Sequence, residues 1–152
     1  MSQLTFLEDV LTDQELSELV EIMDFSLDPK VDLEELPEII ALAGFHQAKL
    51  TKIILKIRLM YSDLETEFEY WHSNQFHKVA EEYDGFPELL KTAKDYEREI
   101  KKDSEYKATK KLLRKMEQIA KTLESKEKEL GSFDWKIKGI IDIQKLKYKI
   151  MF

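Results

Sequence analysis

The chain has 152 residues, 36% of them charged, with four glycines, three prolines and no cysteine. That length suits one domain able to bury roughly two thirds of the surface its unfolded form exposes. The scarcity of helix breakers beside regularly spaced Leu, Ile and Met indicates an all-α fold. Without cysteine there is no disulfide, thiolate metal site or Cys nucleophile. No stretch approaches the ~20 apolar residues that span a bilayer, and the start lacks the basic-then-apolar order of a signal peptide, so no membrane partner and a cytoplasmic location are expected. The net charge of −7 divides unevenly: residues 1–45 hold twelve carboxylates against the single Lys30, a net of −11, leaving 23 basic and 19 acidic side chains beyond them, a net of +4. A mildly basic body behind an acidic leader suits a nucleic acid or another acidic partner, and equally a solvated acidic helix beside salt-bridged ones.

Taken in chain order, Thr12 precedes Asp13 and Glu15, which suit the positive end of a helix carrying Leu16, Leu19, Val20 and Met23. Asp28-Pro29 should break it, and Asp32 can cap a second short helix to about Ala43. Residues 1–45 are thus expected as an acidic helical leader, 46–131 as the helical body and 132–152 as a C-terminal oligomerisation helix. After Gly44, apolar residues from Leu50 to Trp71 follow helical spacing for about seven turns. Lys49, Lys52 and Lys56 fall on one flank of that stripe and Arg58 on the other, while Leu55 and Leu59 form a second, weaker apolar line that favours an oligomer.

Tyr83-Asp84-Gly85-Phe86-Pro87 reads as a loop, and the helix that follows carries Leu89, Ala93, Tyr96 and Ile100. A kink or capped restart is expected at Lys102-Asp103-Ser104. Leu112, Met116, Ile119, Leu123 and Leu130 then form a heptad-like seam, used within a small bundle rather than as a free coiled coil. Gly131 closes that helix, and Ser132 or Asp134 opens a terminal one whose isoleucines cannot all be covered by one small bundle, which points to a neighbouring subunit.

Catalytic chemistry finds little support. His72 and His77 are about 140° apart on a helix, and His46 is remote from both in sequence, so no metal pair forms from spacing. Phosphate-cradling glycine loops and nucleophile elbows are missing. The expectation is a non-enzyme without cofactor or metal. Cations on the long helix near Tyr61, Tyr70, Trp71 and Phe76 suit single-stranded DNA, with lysines as phosphate contacts and aromatic rings as stacking faces. A solvated face or ion pairing explains the lysines equally well, and core packing is the commoner role for the rings.

The segment Leu55-Lys56-Ile57-Arg58-Leu59-Met60-Tyr61 resembles the Leu-Lys-Ala-Arg-Leu-Asp-Tyr signature of the UvsY family, recombination mediators of T-even-type bacteriophages. Phe133-Asp134-Trp135-Lys136-Ile137-Lys138 before Ile140-Ile141 is similar to that family's closing pattern. The resemblance implies a helical ring, a heptameric homo-oligomer assembled through its C-terminal region. It would bind single-stranded DNA and load a RecA-like recombinase onto strands coated by single-stranded DNA-binding protein, in DNA recombination and repair. By position, Lys56 and Arg58 would contact DNA, while Ile137, Ile140 and Ile141 would belong to the assembling tail. Lys49 and Lys52 join the DNA set from helix geometry alone. Met60 replaces the signature's Asp, the closing pattern contains an extra Asp-Trp-Lys step, and the leader has no counterpart in the family pattern. One expectation follows for that leader, that it occupies the basic surface as a DNA mimic until DNA displaces it. The alternative reading of the whole chain is a helical adaptor or assembly protein with no direct DNA role.

Overall fold

In the computed structural model, which describes residues 3–28, 30–82 and 93–151, every regular element is helical. Helix α1 spans Gln3–Val10, α2 Asp13–Asp24, α3 Leu36–Glu82, α4 Ala93–Lys101, α5 Ser104–Gly131 and α6 Phe133–Met151. The fold is all-α, and no described helix is long and apolar enough to cross a membrane.

Local chemistry accounts for most boundaries. Thr12 caps α2 in a capping box: its hydroxyl accepts from the Glu15 backbone N–H, and the Glu15 carboxylate accepts from the Thr12 N–H, both at 3.1 Å. The expected restart after Asp103 is present, with the Asp103 carboxylate accepting from the Glu105 N–H at 2.7 Å ahead of α5. Gly131 ends α5 where the chain passes close to α3, since a Cβ there would stand 3.2 Å from Gln47 Nε2.

One expectation differs from the structure. The second leader helix and the long body helix are one element: after a 3-10 turn at Leu33–Glu35, α3 runs 47 residues straight through Gly44. A lone helical glycine lowers stability by only ~1 kcal/mol, and no neighbour approaches its missing Cβ, so nothing forces a turn. The boundary drawn at residue 45 therefore falls inside a helix. The loop expected at 83–87 and the start of the following helix lie outside the described residues.

The chain divides into two compact units, residues 1–56 with 120–152 and residues 57–119. In the first, Leu50 and Ile53 of α3, Leu19 and Ile22 of α2, Leu123 and Leu130 of α5, and Phe133, Ile137 and Ile140 of α6 are buried. The second buries Ile57 and Phe68 of α3, Ile100 of α4, and Leu113, Met116 and Ile119 of α5. Met116, Ile119, Leu123 and Leu130 of the expected α5 seam face inward, whereas Leu112 is half-buried and Leu113 and Ala120 are buried beside them.

Leu50→Ala, at a fully buried position, should lower unfolding free energy in urea titrations by about 2–5 kcal/mol. Leu59→Ala, at a site 58% exposed, should stay within about 0.5 kcal/mol.

Candidate functional site

In the first unit, Lys49, Lys52 and Lys56 project from α3 near the acidic helix α2. Lys56 Nζ lies 2.9 Å from Glu15 Oε1 and Lys49 Nζ 3.1 Å from Glu18 Oε1. Lys49 also stands 4.1 Å from the centre of the Phe45 ring. Lys52 is exposed and has no carboxylate partner among the described residues. The Lys56 ammonium first, and the Thr12 N–H second, hold the Glu15 carboxyl below its ordinary pKa. Glu15 therefore serves the capping box and the cation row with one side chain.

α2 is fastened at its far end. The Phe25 ring packs 4.9 Å from His46 and 5.3 Å from Phe133, the latter nearly parallel. Lys126, buried on α5, donates to the Phe25 carbonyl at the C-cap of α2 and pairs with Glu129 at 3.0 Å. A cation at the negative end of a helix is electrostatically favoured, and burying it demands such partners.

In the second unit Arg58 Nη1 donates to Glu117 Oε2 at 2.7 Å. Lys56 and Arg58 are therefore held by different carboxylates, on α2 and α5. Of the aromatic candidates, Tyr70 is exposed. Trp71 stacks 5.8 Å from Phe68, and Phe76 packs against His72 and Tyr96. Burial, then the neighbouring Glu65 carboxylate, pushes the Tyr61 hydroxyl pKa up. His72 faces Glu97 at 3.1 Å, and no cluster among the described residues has the makings of a metal site.

This unit also holds a cleft of about 1510 Å³ between the middle of α3 and the α4–α5 corner, with Tyr61, Phe68 and Tyr106 among its lining. Lys107, Lys110, Lys111 and Arg114 line it from α5. None of the four has a carboxylate within ion-pairing distance among the described residues. Their i, i+3, i+4, i+7 spacing was a legible sequence signal, outweighed by the basic pair at positions 56 and 58.

On α6, Ile137 and Ile140 are buried in the first unit's own core and Ile141 is half-buried. Among the described side chains of this helix, the large apolar ones left exposed are Trp135, Ile143, Leu146 and Tyr148. The phase of the helix accounts for this division: Phe133, Ile137 and Ile140 lie on one face, and Trp135 and Leu146 on the opposite one.

Comparison with protein-family models, curated proteins and solved structures finds no match.

His46 supplies a pH dependence. Burial lowers its pKa from the ordinary 6.5, with Lys49 and Lys126 lowering it further and Glu21 opposing, and its buried Nδ1 has no partner among the described residues. The unfolded chain takes up this proton at higher pH than the folded one, so the contribution is full above 6.5 and is lost as pH falls through the folded value. Denaturation at about pH 7.5 and about pH 5.5 should show lower stability at the acid end, and His46→Leu should flatten that difference.

Proposed function

We propose that this protein is a non-enzymatic, UvsY-like recombination mediator that binds single-stranded DNA and promotes loading of a RecA-like recombinase onto strands coated by single-stranded DNA-binding protein. The observation that carries this reading is the cation row of α3, on which two leader carboxylates sit at 2.9 and 3.1 Å. Those carboxylates stand in for phosphate oxygens: the row meets anions, through side chains 23–41% exposed. Ion pairs of this exposure contribute only about 0.2–1 kcal/mol each. A phosphate backbone that also releases its condensed counterions is therefore a competent replacement.

Lys49, Lys52, Lys56 and Arg58 are the DNA contacts in this reading. A few cations bind a strand weakly at physiological salt, so affinity comes from repetition of the patch in a homo-oligomer, a heptameric ring in the UvsY pattern. The strand is held in a shape that loosens the coating protein and receives the recombinase, with no bond chemistry or nucleotide hydrolysis. The second reading, a helical adaptor, draws on Leu55 and Leu59, each 58% exposed, and Trp135, 78% exposed.

The test is fluorescence anisotropy with a labelled single strand across a salt series, oligomeric mass being followed in parallel. Lys56→Ala/Arg58→Ala should reduce the slope of log affinity against log salt by about one to two at unchanged mass. Glu15→Gln/Glu18→Gln, which keeps the capping box because Gln serves at that position, should tighten binding ~2–5-fold at low salt. Absence of binding by the intact chain favours the adaptor.

A further inference from the structure

We propose that the cleft lined by α3, α4 and α5 within the second unit is a further single-strand site, in which α5 supplies a phosphate rail and the rings of Tyr61 on α3 and Tyr106 on α5 receive the bases. This deepens the DNA-binding reading and rests on it.

The rail is Lys107, Lys110, Lys111 and Arg114. Helical geometry places the four within about 100° of arc and over about 10 Å of axis. Lys107, Lys111 and Arg114 are exposed and Lys110 is half-buried. Whereas Lys49, Lys56 and Arg58 each have a carboxylate within 3.1 Å, these four have none among the described residues. A phosphate arriving here displaces no carboxylate among the described residues.

The rest of the cleft selects the kind of anion. Half-buried Tyr61 and Tyr106 line it over a floor made by Phe68, and Lys110 Nζ stands 5.1 Å from the Phe68 ring centre and 6.0 Å from that of Tyr106. Glu65 and Glu69 line it from α3. An acidic peptide gains from the rail and is repelled by those carboxylates. A single nucleic-acid strand satisfies both sides, its phosphates meeting cations while base N–H groups donate to carboxylates and base faces meet tyrosine rings. In a duplex the base faces are stacked on one another and offer the tyrosines nothing. The cleft also exceeds the roughly 300–1,000 Å³ of small-molecule pockets, which suits a segment of polymer.

The test compares the full chain with Lys107→Gln/Lys111→Gln/Arg114→Gln and with Lys145→Gln/Lys147→Gln/Lys149→Gln, which removes the same charge from α6. Anisotropy against a mixed-sequence single strand, its duplex and polyglutamate is read across a salt series. A strand carrying 5-iododeoxyuridine is photocrosslinked to the unaltered protein and the peptides are mapped. The rail variant should lose about two from the single-strand salt slope and at least tenfold in affinity at low salt, the α6 variant much less. Crosslinks should fall on peptides holding Tyr61 or Tyr106. Equal losses in both variants, a preference for duplex or polyglutamate, or crosslinks confined to residues 45–56 would overturn the cleft proposal while leaving single-strand binding intact. No binding by the unaltered chain would remove both.

Discussion

Burial of the α3 stripe decides which of this protein's charges can meet a ligand. Leu50 and Ile57 are fully buried and Ile53 nearly so, and their phase on the helix fixes where every other α3 side chain emerges. Lys49, Lys52 and Lys56 are carried to one flank and Arg58 to the other. Helix α2 reaches that flank because Leu19 and Ile22 are buried and Phe25 is held between His46 and Phe133. Apolar packing thus places the Glu15 and Glu18 carboxylates, and the ion pairs follow from that placement.

Two sets of cations stand out in consequence. Lys49, Lys56, Arg58 and Lys126 have carboxylate partners at 2.7 to 3.1 Å. Lys126 differs from the other three in being buried, where removing a partner is costly, so it belongs to the scaffold. The three half-exposed pairs are weak and exchangeable. Lys107, Lys110, Lys111 and Arg114 form the second group, neutralised by no described carboxylate. A polyanion gains most from cations that surrender no carboxylate, which gives the α5 rail its weight beside the α3 row.

Much of the fold was legible. Thr12 with Asp13 and Glu15 announced a helix start, Asp103-Ser104 a restart and Gly131-Ser132 a break, since each signal is local and involves residues within a single turn. The continuity of α3 through Gly44 was less visible, because glycine is a weak breaker whose effect depends on what packs around it. The terminal helix was legible only in part: its apolar residues occupy two faces, and composition does not say which one the subunit's own core takes. Phe133, Ile137 and Ile140 went inward and left Trp135 and Leu146 outside. Ion-pair partners were hidden by distance along the chain, Glu117 lying 59 residues from Arg58 and Glu15 41 from Lys56. The rail residues were close in sequence and readable, but that no described carboxylate pairs with them required the structure.

The most direct measurement is lysine footprinting: acetylation of the intact protein by a small reagent, with and without single-stranded DNA, resolved by mass spectrometry. The account predicts that DNA slows acetylation of Lys52, Lys107 and Lys111, while Lys128, exposed elsewhere on α5, reacts at an unchanged rate. Unchanged rates at Lys52, Lys107 and Lys111 under saturating DNA, or equal slowing of all four lysines, would contradict it.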